Sequence, residues 1–106
     1  MKYIKRGRND KYPNKIEVWK LEDPNVPSWL SDISKIASIT NGNVQIDYRK
    51  TNTGGIEILD SSGTAVILRL DSEDFLVCKD LSTEFGGIIA LSPKQVELLY
   101  IEDGKV

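Results

Sequence analysis

Apolar and polar residues alternate in several short segments of this chain, which is the pattern of half-buried β-strands. Lys15–Leu21 alternates, with Ile16 and Val18 on one face and Trp19 on the other. Similar segments predict five more strands: Asn43–Lys50, Ile56–Leu59, Ala65–Leu70, Phe75–Lys79 and Gly87–Leu91. Because Ala65–Leu70 is the most apolar of them, it is predicted to lie at the centre of the sheet.

Residues that favour turns separate these predicted strands. Asn41-Gly42 tolerates the positive φ of a tight turn, and Asp60–Gly63 has the composition of a hairpin turn. Because short turns connect neighbouring antiparallel strands, the sequence predicts a meander.

Residues 27–38 change to the spacing of a helix. Their apolar members form one wide stripe, namely Trp29, Leu30, Ile33, Ile36 and Ala37. Pro27 suits the first helical turn, where its missing N–H is not needed. The stripe predicts a helix packed on the sheet, with Trp29 either as a core anchor or as a stacking surface for a ligand.

The C-terminal segment contains a clear helix start. Ser92 is predicted as the N-cap, Pro93 as the first helical residue and Gln95 as the second member of a capping box. An apolar face of Val96, Leu99 and Tyr100 follows, and Asp103-Gly104 is predicted to end the helix.

Together these elements predict a single α+β domain over residues 1–106. Its antiparallel, strongly twisted sheet of five to six strands would pack on the helix of the N-terminal half, and a short C-terminal helix would follow. Residues 1–14 would form either a basic N-terminal arm or an edge strand of this sheet.

The residues available for chemistry are few, because the chain has no histidine and one cysteine, Cys78. It cannot assemble a Cys/His zinc site, a Ser-His-Asp relay or an internal disulfide. The pairs Gly54-Gly55 and Gly86-Gly87 lack the lysine of a phosphate loop, and Asp71–Asp74 lacks the spacing of a calcium loop. The sequence predicts no catalytic residue, no metal and no cofactor, so we expect a binding protein and not an enzyme. An enzyme is the third alternative, and it would have to use carboxylates, lysine, tyrosine or a recruited metal alone.

The predicted location is the cytoplasm. Cys78 follows the apolar run Phe75–Val77 and is predicted to be a small core residue, and one unpaired cysteine fits a reducing compartment. The N-terminus lacks the apolar run of a signal peptide, and the longest apolar stretches are too short to span a bilayer. We therefore expect no contact with a membrane.

Charge is distributed unevenly along the chain. Residues 1–20 hold seven basic and two acidic side chains, whereas residues 21–106 hold seven basic and fourteen acidic ones. The basic segment could contact phosphates or an acidic partner, form a solvated tail, or lie on the acidic body of its own chain. The net charge of −2 argues against sequence-specific DNA binding, since dedicated DNA binders are usually basic overall.

The candidate binding residues lie within the basic segment. Lys5, Arg6, Arg8 and Tyr12 combine cations with an aromatic ring, which suits stacking and phosphate contact. The alternative is that this segment is a strand edge that pairs with the sheet.

The order of several motifs resembles that of a widespread group of short bacteriophage and prophage proteins of unknown function. The matching segments are the opening Met1–Lys5, the strand Ile16–Trp19, the pair Trp29-Leu30, the segment Ser72–Val77 and the late segment Val96–Tyr100. Those proteins typically open with Met-Lys-basic-Lys, continue into a Val-Glu-Ala-x-Gln-Trp strand, carry Gly-Asp-Tyr before a strand and end in Phe-Glu-x-x-Tyr.

This chain departs from that pattern at several positions. Glu73 stands where the group has the glycine before Asp74, Phe75 replaces the tyrosine and Val96 replaces the phenylalanine. The motifs look structural, so the resemblance carries over no active-site residue. It implies a small α+β phage or prophage accessory protein in the bacterial cytoplasm.

Two classes of function follow from these expectations. The first is a binding protein that blocks a host factor, such as a CRISPR nuclease, or that sequesters a nucleotide signal of host defence. Its partner would be a host protein or a nucleotide, and trapping a nucleotide would require a pocket with converging basic and aromatic groups. The alternative is a phage structural or assembly protein that forms a homo-oligomer through an open sheet edge.

Overall fold

The computed structural model describes residues 1–40 and 43–104. The predicted Asn41-Gly42 turn lies outside these residues. The elements, in chain order, are β1 (Lys2–Lys5), β2 (Lys15–Lys20), α1 (Ser28–Ser31), β3 (Ile36–Thr40), β4 (Asn43–Ile46), β5 (Tyr48–Lys50), β6 (Ile56–Leu59), β7 (Val66–Leu70), β8 (Leu76–Asp80), β9 (Ile88–Leu91), α2 (Pro93–Leu99) and β10 (Tyr100–Glu102). No helix in the described ranges is long and apolar enough to cross a membrane.

The strands form antiparallel sheets, as the alternating segments predict, but they form more than one. Five strands pair in the order β10-β1-β2-β8-β9, three in the order β5-β6-β7, and β3 pairs with β4. The expectation of a single sheet is therefore wrong, and the predicted strand Asn43–Lys50 is two strands, β4 and β5. At Asp47, between them, the backbone N–H donates to the carbonyl of Lys35, so β4 and β5 belong to different sheets.

The five-stranded sheet has an apolar core on each face. In β2, Trp19 is buried on one face and Ile16 on the other, which follows from the alternation of side chains along a strand. The first core joins Trp19 to α1 and the three-stranded sheet and comprises Trp19, Leu30, Ile46, Ile56, Ile58, Leu70 and Val77. The second core lies beneath α2 and comprises Ile16, Cys78, Leu91, Val96 and Tyr100.

Cys78 is a buried member of the second core, as predicted. Burial raises the pKa of its thiol to about 12, so the thiolate is disfavoured at neutral pH.

The helix predicted over residues 27–38 is wrong beyond its first turn. α1 ends at Ser31, and Ile33 and Ile36 are 40% and 44% exposed. The backbone N–H and the hydroxyl of Ser34 both donate to the carbonyl of Leu30, and Lys35 then donates its backbone N–H to the carbonyl of Leu59 in β6 instead of to the preceding turn. The following β-branched residues favour a strand, which is β3.

The first turn of that segment retains its predicted role. Leu30 is buried in the first core, and Trp29 packs beside it while its Nε1 donates to Glu17 Oε2 at 2.9 Å. Trp29 is therefore partly buried against the first core, which favours the role of a core anchor over that of a stacking surface.

The most apolar strand, β7, lies at an edge of its sheet instead of at the centre. It pairs with β6 on one side and packs against β9 on the other. Its hydrophobicity therefore reflects packing between two sheets and not a central position in one of them.

The C-terminal helix starts as predicted and ends early. Ser92 accepts the backbone N–H of Gln95, and the Gln95 side chain accepts the backbone N–H of Ser92, which completes the capping box. The helix stops at Leu99, and Tyr100 begins β10.

The position of β10 also corrects the prediction for residues 1–14. Lys2–Lys5 lies between β2 and β10, so this segment is neither a free arm nor an edge strand. The sequence conceals β10 because the apolar residue Tyr100 also fits the spacing of the preceding helix.

Candidate binding surface

Three segments meet at one end of the five-stranded sheet. Lys5 at the end of β1 pairs with Tyr100, and Ile16 near the start of β2 pairs with Asp80 at the end of β8. The connection between β1 and β2 (residues 6–14), the connection between β8 and β9 (residues 81–87) and the C-terminal end of α2 therefore lie together. We call these three segments the loop end.

Lys5 holds the β1–β2 connection in place. Its ammonium donates to the carbonyls of Asn9 at 2.5 Å and Tyr12 at 3.1 Å, and its backbone N–H donates to Asn14 at 2.8 Å. Most of its hydrogen-bonding capacity is therefore used within the chain, and its charge remains near the surface.

Arg6 caps the end of α2. Its Nε donates to the carbonyl of Tyr100 at 2.7 Å, and its backbone N–H donates to the carbonyl of Leu99 at 2.8 Å. These bonds satisfy carbonyls at the helix C-terminus, where positive charge is also favourable. Arg6 is thus structural as well as a candidate contact.

Tyr12 is half-buried against the second core. The ammonium of Lys11 lies 5.8 Å from the centroid of its ring, within the range of a cation–π contact. The hydroxyl of buried Tyr100 donates to the carbonyl of Pro13 at 2.7 Å and fixes the adjacent backbone.

Arg8 differs from the other three candidates. It is exposed, and no ion pair or side-chain hydrogen bond joins it to any other residue that the structure describes. Of the four predicted binding residues, Arg8 is the one whose side chain makes no hydrogen bond, ion pair or ring contact with another described residue, so its guanidinium is available to a partner.

The structure brings three of the predicted residues to one groove, which we call the basic groove. It has a volume of about 200 Å³ and is lined by Lys5, Arg6, Arg8, Asn9, Leu98 and Leu99. No carboxylate of the described chain lines it. Leu98, on the exposed side of α2, is 65% exposed and adds an apolar contact next to the cations.

A second groove of about 420 Å³, the mixed groove, lies between the two connections and contains Tyr12. Lys5 and Lys11 contribute positive charge to it, and Asp10 and Asp80 contribute an equal number of negative charges. This balance makes the mixed groove a poor site for a phosphate group.

The ion pairs explain where the basic charge of the N-terminal segment goes. Among the seven basic residues of positions 1–20, all of which the structure describes, Lys15 alone pairs with a carboxylate, that of Asp103 at 3.5 Å. Apart from this one pair, the described part of the segment does not lie on the acidic body through ion pairs. A solvated surface and contact with an external anion are the two alternatives left.

The β8–β9 connection presents an aromatic residue that the sequence reading missed. Gly86 packs so closely on Asp80 that a Cβ there would lie 2.3 Å from the Asp80 carbonyl oxygen. Lys79 donates to the carbonyl of Gly86, and the Asp80 carboxylate accepts the backbone N–H of Ser82 at 2.8 Å. This ordered connection leaves Phe85 92% exposed.

At the opposite end of the sheet, two acidic side chains form bonds with side chains of β5. Tyr48 donates to Glu22 Oε1 at 2.6 Å, a bond that raises the pKa of Tyr48 to about 12, and Lys50 pairs with Glu73 at 2.8 Å. Glu22 adopts a positive φ of 72°, and the bond to Tyr48 helps to hold it there. Glu22 and Glu73 are therefore bonded within the chain, whereas Arg8 at the loop end has no such partner among the described residues.

The chain matches no protein-family model, no curated protein and no solved structure. Its function therefore has to be inferred from the chemistry of the loop end.

Proposed function

We propose that this chain is a non-catalytic binding protein whose loop end covers an acidic surface of a host protein and blocks it. The observation that carries this proposal is the basic groove, where Lys5, Arg6 and Arg8 converge beside exposed Leu98 and no carboxylate of the described chain intervenes. Arginine is enriched in protein interfaces and among the residues that dominate their binding energy.

The grooves favour a protein partner over a trapped nucleotide. Pockets for small ligands usually measure about 300–1,000 Å³ and enclose most of the ligand. The basic groove, at about 200 Å³, is smaller than this range. The mixed groove is large enough, but Asp10 and Asp80 would repel phosphates.

The resemblance to short phage proteins supplies the proposed setting. In that setting the chain acts in the cytoplasm of a bacterial host, and the blocked factor belongs to a defence system such as a CRISPR nuclease. Occlusion of a surface requires no catalytic group, which agrees with the residue types available to this chain.

Assembly through the sheet edge receives less support. At the β10 edge, the backbone N–H of Tyr100 donates to Val96 and its carbonyl accepts Arg6, so both groups are already occupied. Backbone groups that are already bonded are not available to pair with a further strand.

The test is affinity capture of the tagged chain from bacterial lysate, with mass spectrometry of retained proteins and small molecules. Arg8→Glu is the informative variant, because Arg6→Glu would also remove the cap of α2. Lys20→Glu is its matched control, since Lys20 is exposed and lies at the opposite end of β2.

We expect one host protein, retained in stoichiometric amount by the natural chain and by Lys20→Glu. Reversal of the Arg8 charge should reduce its retention about tenfold or more, because it places an acid against an acidic surface. Equal retention by Arg8→Glu, or retention of a nucleotide without any protein, would contradict the proposal.

A further inference from the structure

We infer that two copies of this chain associate through their loop ends about a two-fold axis, with Phe85 of each copy against Leu98 of the other and Glu84 of each against Arg8 of the other. This inference goes beyond the proposed function, because it names an occupant of the loop end that is present without any host protein.

The first observation is that the loop end holds two large apolar side chains exposed to solvent. Phe85 is 92% exposed and Leu98 is 65% exposed. They belong to different segments, the β8–β9 connection and α2. Each would lose contact with water if the other reached it.

The second observation concerns charge. Glu84 precedes Phe85 on the β8–β9 connection, whereas Arg8 lines the basic groove beside Leu98. Both charged residues are exposed, and neither forms an ion pair with another residue in the ranges that the structure describes. One half of the loop end is therefore acidic and aromatic, and the other half is basic and aliphatic.

These halves do not satisfy each other within one chain. The mixed groove, about 420 Å³ in volume, lies between the β1–β2 connection and the β8–β9 side of the surface. A two-fold axis through the loop end would instead place the acidic, aromatic half of each copy against the basic, aliphatic half of the other. A surface that binds itself in this way must be self-complementary, and the loop end carries the opposite charges and the apolar side chains that this requires.

Both halves are held in place before any contact forms. Gly86 packs on the backbone of Asp80 on one side, and the Lys5 ammonium ties the carbonyls of Asn9 and Tyr12 on the other. Little backbone freedom would be lost at these connections on association, which lowers that part of the cost of binding, while the exposed contact side chains would still have to be ordered.

The test is sedimentation velocity of the natural chain over a range of concentrations at low ionic strength. The mass should rise with concentration from the 11.9 kDa of one chain towards twice that value and no further. A mass that stays at one chain overturns the inference, and so does growth beyond two chains, because a two-fold contact closes on itself.

Charge reversal tests the paired contact. Arg8→Glu and Glu84→Arg should each weaken association by about 100-fold, since each substitution acts twice across the axis at roughly tenfold per contact. The double variant Arg8→Glu/Glu84→Arg should restore it. A double variant as weak as the single ones would overturn the assignment of the pair.

Phe85→Ala tests the apolar contact. It should weaken association at least as much as either single charge-reversal variant does. Ile33→Ala is the control and should leave association unchanged, because it truncates a side chain that is 40% exposed but lies outside the loop end. An equal effect of the two truncations would overturn the role of Phe85. Circular dichroism of every variant confirms that the fold is retained.

The double variant also separates this inference from the proposed function. It should form the two-chain species yet fail to capture the host protein, because its position 8 is acidic. If the natural chain captures a host protein but its mass in sedimentation stays at that of one chain, the inference of self-association is wrong and the proposed function is unaffected.

Discussion

Tyr100 joins the second core to the candidate surface, so Tyr100→Phe is an informative perturbation. Its ring is 1% exposed beneath α2, and its hydroxyl donates to the carbonyl of Pro13 at 2.7 Å. The substitution keeps the ring and removes this one hydrogen bond between β10 and the β1–β2 connection.

The expected loss of folding stability can be worked out from the hydrogen bond that the Tyr100 hydroxyl makes. Removing one partner of an intramolecular hydrogen bond costs about 1 kcal/mol when the other partner is incompletely solvated, and the Pro13 residue is half-buried. For a domain of this size, 1 kcal/mol lowers the Tm by about 4–8 °C. The loss should be greatest locally, so amide hydrogens in residues 9–14 should exchange faster.

Thermal denaturation followed by circular dichroism, together with hydrogen exchange, measures both effects. Tyr3→Phe is the matched control, because the Tyr3 hydroxyl makes only a weak contact, 3.9 Å from the Met1 sulfur, within the described chain. We expect the control to change stability by less than about 0.5 kcal/mol. Equal Tm values for the two variants would refute the anchoring role of Tyr100.

Alkaline pH provides an independent reading of the same residue. Burial raises the pKa of Tyr100 from 10.0 to about 12. The folded state therefore holds this proton more tightly than the unfolded state, and the resulting stability is present below pH 10 and is lost as pH rises towards 12. Tyr100→Phe should show a shallower loss over this interval, and an unchanged slope would contradict the assignment.

Two further perturbations test the packing beneath the loop end. Gly86→Ala should destabilise the chain by about 1–3 kcal/mol in a denaturant titration, because the new Cβ would lie 2.3 Å from the Asp80 carbonyl oxygen. Gly87→Ala is the control and should cost far less, because a Cβ there would have nothing within 4 Å. Equal losses of stability would contradict the close approach at Gly86. Cys78 should resist a thiol reagent at neutral pH in the native chain and react in guanidinium chloride, because burial raises the pKa of its thiol to about 12; rapid reaction of the native chain would show that the second core is open.

The features that could be predicted from the sequence are those that neighbouring residues specify. The Ser92 capping box involves residues three positions apart, and the alternation of Ile16 and Trp19 directly gives two buried faces of β2. In both cases the local pattern and the tertiary packing agree.

The features that were missed depend on contacts between distant segments. The apolar stripe after Trp29 fits a helix, yet Lys35 bonds to Leu59 and β3 forms instead. Tyr100 fits the apolar face of α2, yet it belongs to β10 and pairs with Lys5 of β1. Periodicity alone cannot choose between a short helix and a strand when the partner lies far along the chain.

The candidate surface shows the same division. Of the four predicted binding residues, the structure brings Lys5, Arg6 and Arg8 to one groove and places Tyr12 in the mixed groove. Leu98 and Phe85 were missed because their exposure is set by how α2 and the β8–β9 connection pack, and not by local sequence. A lone phenylalanine between Glu84 and a glycine pair was the only local sign of Phe85.

The most direct test of the loop end as a binding surface compares what Arg8→Glu and Lys20→Glu retain from bacterial lysate. The account predicts one stoichiometric host protein with the natural chain and with Lys20→Glu, and its loss with Arg8→Glu. The same protein retained equally by both variants would contradict the assignment of the loop end.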